Sequence, residues 1–260
     1  MIAFVGEPTI CVGEIFRSLR QHLFLLPMAQ KKLQRFADIK TFKNVLEFPD
    51  NMAGNWGDHF RNANPLVLEL ACGKGEYTVT LAQLYPQKNF IGVDVKGNRI
   101  WVGAKHAIQN NLENAAFLRT QIEMIDTYFT KDEVAEIWIT FPDPQLRNSK
   151  ASKRLTHPRF LRAYKNFLRP DAPIHLKTDS PDLYNFTKTV IELFELKLIS
   201  DINDVYSIEN IHDELKIKTH YERLDIARSK KVFYLCFSLS EKIMDREMDE
   251  SLKQRINEGR

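Results

Sequence analysis

The chain has 260 residues, 43% apolar and 27% charged, enough for one sizeable globular domain with a substantial buried core. Its net charge of +3, from 37 basic and 34 acidic residues, is too small to imply a polyanionic partner, so only the placement of charge can argue for one. Cys11, Cys72 and Cys236 are scattered without a Cys-x-x-Cys pair, which suggests neither a disulfide framework nor a cysteine-built zinc site, and no apolar run approaches the roughly 20 residues of a membrane span.

Residues 1–28 read as a non-native or disordered extension. Leu23 to Leu26 only faintly mimics a signal peptide, its apolar core being too short. Met28-Ala29-Gln30-Lys31-Lys32 looks more like a natural start than Met1 does. Residues 29–62 read as an N-terminal arm, basic at first and then extended, with Trp56 and Phe60 as anchors onto the main domain. That domain spans 63–240, and 241–260 is a charged tail, either a solvated helix or a disordered end.

The main domain opens with Leu66-Val-Leu-Glu-Leu-Ala-Cys-Gly-Lys-Gly75, an apolar run of strand length that ends in a glycine turn. A segment of helical spacing follows, with Tyr77, Leu81, Leu84 and Tyr85 on one face. Gly73 and Gly75 suit a sharp turn that a ligand approaches closely, beside the amides of a helix start. Nineteen residues after Gly75 a second apolar run ends at Asp94, placed to accept from ribose hydroxyls. A helix over 97–110 and a strand over 115–118 follow, with Gln121 just past the strand end, where an amide can pair with an adenine edge. As an ordinary surface residue Gln121 needs no such role.

Val134 to Phe141 reads as a strand closing at Phe141-Pro-Asp-Pro144. Prolines on both sides hold Asp143 in a restricted backbone, which suits an aimed carboxylate and also an ordinary turn. A helix over 157–168, a strand over 173–177 closing at Thr178-Asp179, a helix over 182–194 and strands over 195–199 and 231–239 complete the pattern. Strands alternating with helices predict an α/β fold: a mostly parallel sheet covered on both faces. Glu69, Asp94, Gln121, Asp143 and Asp179 then all stand at carboxyl ends of strands, where such sheets bind ligands.

The turn chemistry separates two ligand classes. The dinucleotide fingerprint needs a third glycine where this chain has Thr78. Glu69-x-x-x-Gly73-x-Gly75 instead resembles the first motif of S-adenosylmethionine (SAM) methyltransferases, which implies a carboxylate that attracts a sulfonium and would repel a pyrophosphate. From Pro144 to Pro170 there are eight basic residues and no acidic one. Beside a ligand crevice this points to a polyanionic substrate, with a solvated helix face as the plainer reading.

Taken together, Glu69-x-x-Cys-Gly-x-Gly, Phe141-Pro-Asp-Pro144, Lys153-Arg154-Leu155, Thr178-Asp179 and Thr219-His220-Tyr221-Glu222 resemble the bacterial tRNA (guanine-N7-)-methyltransferase family, from about Lys32 to Leu239. The resemblance implies a Rossmann-like class I methyltransferase fold with an antiparallel C-terminal strand. It also implies SAM as methyl donor, no metal, tRNA as substrate, a cytoplasmic location and a monomer or homodimer. By resemblance, Glu69, Gly73, Gly75, Asp94, Gln121 and Asp143 are SAM-contacting positions, and Asp143 is also catalytic. Arg147, Asp179, Thr219, His220, Tyr221 and Glu222 match substrate positions, with Lys150, Lys153 and Arg154 on the RNA backbone. Gln145, Leu146 and Arg147 depart from the Trp and Lys-rich run usual there, and Gln121 replaces a residue that is often acidic or Asn. A SAM enzyme for a small molecule or protein would leave the basic stretch unused. A non-catalytic RNA-binding protein on the same fold would leave Glu69, Asp94 and Asp143 unused.

Overall fold

The computed structural model describes residues 30–224 and 231–258; the extension expected over 1–28 lies outside them. Eight strands form one sheet: β1 (Val45–Glu47), β2 (Leu66–Leu70), β3 (Asn89–Asp94), β4 (Ala115–Arg119), β5 (Val134–Thr140), β6 (Ile174–Thr178), β7 (Lys197–Ile202) and β8 (Phe233–Ser238). Their order is β1-β4-β3-β2-β5-β6-β8-β7. The first six pair in parallel and β8 runs antiparallel to both β6 and β7. The antiparallel C-terminal strand expected from the resemblance is therefore present, inserted between β6 and β7 rather than at the edge.

Period-two alternation divides the apolar side chains between two cores. Leu66, Leu68, Leu70, Ile137 and Ile139 face one layer, while Val67, Phe117 and Trp138 face the other. Helices α3 (Glu76–Leu84), α4 (Gly97–Gln109), α5 (Pro158–Lys165) and α6 (Pro181–Leu193) cover these faces. Short helices α7 (Asp213–Lys216) and α8 (His220–Arg223) lie in the long connection from β7 to β8. The chain reverses its winding between β2 and β5, the position at which open α/β sheets leave a crevice beyond the strand ends.

The arm, one strand and the docking of the tail refine the sequence expectation. Within the arm, residues 30–39 form helix α1 and β1 adds a parallel edge strand to the sheet. A three-residue strand is too short to show a period. Trp56 and Phe60 in α2 (Trp56–Phe60) are buried, and the Trp56 indole donates to the Tyr128 carbonyl at 2.9 Å. The strand expected over 195–199 starts at Lys197, since Glu195 adopts a left-handed φ of 48° as the preceding helix ends. The tail folds as α9 (Met248–Glu258) and docks: Leu252 is buried, and Asp249 takes both Arg162 Nη atoms at 2.9 and 2.6 Å.

Candidate active site

Glu69, near the end of central strand β2, is enclosed by protein. One carboxylate oxygen accepts from the Thr78 amide at 2.8 Å and the Thr78 hydroxyl, and the other from the Thr140 hydroxyl at 2.9 Å. Burial raises its pKa to about 7, partly offset by the Thr78 and Thr140 hydrogen bonds. The sequence placed this carboxylate facing a ligand cation. The structure instead uses it to pin the first turn of α3 to β2 and β5. Gly75, the N-cap of α3, has φ of 73°, and a Cβ there would lie 2.5 Å from the Phe117 ring. Gly73 also has positive φ, at 58°.

Asp94 is buried at the end of β3 with both oxygens engaged. It accepts from the Gly73 amide at 3.0 Å and the Lys96 amide at 2.8 Å. The carboxylate therefore ties the glycine turn to the β3 end, and each oxygen keeps a further lone pair for a ligand. Together with Gln121 and Asp143 it lines a cleft of about 230 Å³. Ala71, Val95, Ile122 and Leu155 supply apolar wall, and Glu123 and Lys153 complete its charged groups. The cleft thus carries three carboxylates against one ammonium. Of the five strand-end groups expected to line one crevice, Asp94, Gln121 and Asp143 line this cleft, and Asp179 is not among its lining residues. Glu69 supports the turn from behind.

Asp143 is exposed, and its Oδ1 accepts from the Gln145 amide at 3.0 Å, an Asx turn that holds the carboxylate. The backbone on either side is left-handed at two non-glycine residues, Phe141 (φ 45°) and Gln145 (φ 48°). Such conformations persist only where the surroundings enforce them. The Phe141 amide donates to the Lys177 carbonyl at 2.8 Å, and Arg154 clamps the Gln145 end. This arginine is 4% exposed, with Nε donating to the Pro144 carbonyl at 3.1 Å and Nη2 to the Gln145 carbonyl at 3.2 Å. Its guanidinium also lies 4.5 Å from the Phe186 ring centroid. The expectation that Arg154 contacts RNA phosphate is therefore corrected: the buried guanidinium braces the Asp143 loop.

The basic stretch divides in the same way. Arg162 binds Asp249, Lys165 pairs with Glu241 at 2.8 Å, and Arg169 donates to the Asp132 carbonyl at 3.2 Å. Arg147, Lys150, Lys153 and Arg159 remain exposed, and Lys153 lines the cleft. Half of the charge bias is thus structural, answered by the C-terminal tail or by backbone.

One of the other expected substrate positions, Glu222, pairs with a buried lysine of β6 that the sequence reading passed over. Lys177 in β6 has no exposed surface, and its ammonium donates to the carbonyls of Leu215 (2.9 Å) and Ile217 (2.8 Å). It also reaches Glu222 at 3.3 Å, and Glu222 accepts a hydrogen bond from the Tyr206 hydroxyl. Burial lowers the Lys177 pKa to about 8 against the opposing pull of Glu222. Thr219 is buried and accepts from the Glu222 amide at 3.1 Å, while the His220 amide donates to Glu76 in the first turn of α3 at 3.1 Å. The segment 219–222 is thereby docked on the helix that follows the glycine turn. Asp179 is half-buried next to Thr178, at the end of β6. The Tyr221 side chain lies outside the described residues. A lysine inside the strand Ile174-His-Leu-Lys-Thr178, flanked by the apolar Ile174 and Leu176 of the core, was the available signal.

A family model described as "Putative methyltransferase" matches residues 63–235. The chain is 44% identical over 231 residues to a tRNA (guanine-N(7)-)-methyltransferase of Bacteroides thetaiotaomicron, covering 85% of this chain and 91% of the relative. It is 46% identical over 215 residues to the protein of that name in Porphyromonas gingivalis, covering 78% and 87%. Among solved structures, the 16S rRNA methyltransferase KamB superposes with a TM-score of 0.55 at 17% identity, covering 75% of this chain and 95% of that one. A 30S ribosomal A1408 methyltransferase from an uncultured bacterium superposes at 0.53 and 17%, covering 72% and 93%. At that identity the likeness speaks for the α/β methyltransferase fold alone.

Proposed function

Because the chain belongs to the tRNA (guanine-N(7)-)-methyltransferase family, we propose that it transfers a methyl group from SAM to N7 of a guanine in the tRNA variable loop. The observation that carries this reading is the contrast between an acidic cleft and the exposed basic residues that follow Asp143 in the chain. Asp94, Glu123 and Asp143 face the cleft, and Arg147, Lys150, Lys153 and Arg159 are exposed, with Lys153 lining it. A cationic adenosyl ligand and a polyanionic substrate each find the charge that suits them.

The cleft residues fit SAM. Asp94 offers lone pairs to ribose hydroxyls, Gln121 an amide to the adenine edge, and Val95 and Ile122 apolar surface to the ring. When bound, SAM supplies an electrophilic methyl group. Guanine N7 carries an in-plane lone pair and no proton, so the chain needs no general base. Its task is orientation, worth roughly 7–11 kcal/mol of a barrier when reacting atoms are well placed. Asp143, fixed by its Asx turn and by Arg154, accepts from guanine N1–H or N2–H and favours the positive charge that develops on the base. Lys177 acts at one remove, holding Glu222 and the 215–222 segment in place. The reaction belongs in the cytoplasm, where tRNA is processed.

The test is methyl transfer from labelled SAM to unmodified tRNA, with bulk protein and free nucleosides as competing acceptors. Transfer to tRNA alone supports the reading, and transfer to protein or to a small molecule refutes it.

A further inference from the structure

The charge left over after the basic stretch is accounted for lies on the other side of the cleft. Helices α1 and α4 pack together there. Arg35 donates to the Asn98 carbonyl at 3.4 Å, and a Cβ on Gly97 would meet Ile39 at 2.7 Å and Phe36 at 3.0 Å. The pair carries Lys31, Lys32 and Arg35 from α1 and Lys96, Arg99 and Lys105 at or along α4. Residues 30–43 and 96–110 contain a single acid, Asp38. That carboxylate is engaged by Gln34 at 2.8 Å and by the Trp101 indole at 2.9 Å. Lys31, Lys32, Lys96 and Lys105 are exposed. None of the ion pairs among the described residues uses them.

This face is ordered toward a ligand by two features. Trp101 holds Arg35 and Lys105 each 4.7 Å from its ring centroid, so both cations are positioned before anything binds. The face is also continuous with the cleft, since the Lys96 amide bonds Asp94 and neighbouring Val95 lines the cavity. The acidic cleft is therefore flanked by basic surface on two sides. One flank follows Asp143 in the chain; the other is built from the N-terminal arm and α4.

We propose that the α1–α4 face is a second phosphate-binding surface, which holds the sugar–phosphate backbone of a structured RNA while its guanine enters the cleft. The proposal rests on the tRNA reading above and adds where the rest of that substrate lies. A partner that touches both flanks must be a broad polyanion. A short single strand reaching Asp143 needs only the first flank. The arm is then a substrate-binding element, which explains why a basic helix is fastened to the SAM side of the sheet.

The test is a full-length Lys31→Ala/Lys32→Ala/Lys105→Ala variant, which removes three exposed lysines and leaves the Arg35–Trp101 packing intact. Affinity for unmodified tRNA is measured across a salt series, with SAM affinity and single-turnover methylation at saturating tRNA measured in parallel. Expected are an affinity at least about tenfold weaker near 0.1 M salt and a log–log salt slope reduced by about two to three, at roughly 0.9 per lost phosphate contact. SAM affinity and the single-turnover rate stay at parental values. Parental tRNA affinity and salt slope, with SAM binding intact, would overturn this surface and leave the methyltransferase reading standing. A parent protein that binds SAM but does not methylate tRNA would remove both. Lost binding to anionic phospholipid vesicles with unchanged tRNA affinity would make the face a lipid surface and equally overturn the proposal.

Discussion

Arg154→Ala separates two roles that one arginine can have beside an RNA-modifying site. The side chain makes two hydrogen bonds from a buried cation, to the Pro144 and Gln145 carbonyls at 3.1 and 3.2 Å. Bonds of this kind contribute about 1.5–3 kcal/mol each, and its packing on Phe186 adds about 0.5–2 kcal/mol. Removal also relieves a desolvated charge that costs several kcal/mol, so the net loss to the loop is about 2–4 kcal/mol. The clamped backbone includes Gln145, which is held in a left-handed conformation. Such a residue stores about 1–3 kcal/mol, so clamp and strain are of similar size and the unclamped loop relaxes. The expected result is a kcat lower by about 10- to 100-fold, equivalent to roughly 1.4–2.8 kcal/mol of misplaced Asp143. The salt slope of tRNA binding should be unchanged. Arg154→Lys should fail to rescue, because an ammonium has no fork to span both carbonyls. Single-turnover methylation at saturating tRNA, paired with a salt titration of binding, reads both quantities. A slope reduced by about one with parental turnover would refute this reasoning and return Arg154 to the phosphate role that its position in a basic run first suggests.

Other perturbations probe the rest of the site. Asp143→Asn retains the acceptor for the Gln145 amide and should fold normally; its kcat should fall by about a hundredfold or more with SAM affinity little changed, and parental turnover would remove Asp143 from the mechanism. Glu69 has its pKa raised from 4.5 to about 7, so its contribution to stability is complete below about pH 4.5 and is lost as pH rises through about 7. That window is worth roughly 3 kcal/mol, and the unfolding free energy of Glu69→Gln relative to the parent should vary by about this amount between about pH 4.5 and 8; a pH-independent difference would contradict the buried-carboxyl account. Gly75→Ala forces a Cβ to 2.5 Å from Phe117 at a φ of 73°. It should destabilise by about 1–3 kcal/mol in denaturant titration and weaken SAM binding, and an unaltered midpoint would show that the turn tolerates a side chain. Lys177→Met leaves the Leu215 and Ile217 carbonyls and Glu222 without their cation, so limited proteolysis should cut near 215–222 in the variant before the parent, and identical cleavage patterns would deny the clamp.

The strand–turn–helix at Leu66 to Leu84 and the placement of Asp94, Gln121 and Asp143 at strand ends were legible because period and glycine spacing are local properties of sequence. The destination of each charge was not. Arg154 and Lys153 are adjacent in a basic run, yet one is buried under the Asp143 loop and the other lines the cleft. The partners that decide this are remote: Arg162 and Lys165 find their acids in the tail, at Asp249 and Glu241. Glu69 was read as a ligand carboxylate because its strand and turn suggest one. That Thr78 and Thr140 enclose it depends on how β5 pairs with β2 and on the first turn of α3, neither of which is visible in the motif. The basic α1–α4 face was missed for a related reason: its halves lie more than fifty residues apart and become one surface only when the arm packs on α4.

The central claim is that acidic groups distant in sequence form one cleft that delivers a methyl group to guanine N7 in tRNA. Unmodified tRNA treated with the purified full-length protein and labelled SAM, followed by mapping of the modified nucleotide, tests it most directly. The account predicts a single 7-methylguanine, in the variable loop, formed at least about a hundredfold more slowly by Asp143→Asn. Methylation of a different base or atom, or label found only in protein, would contradict it.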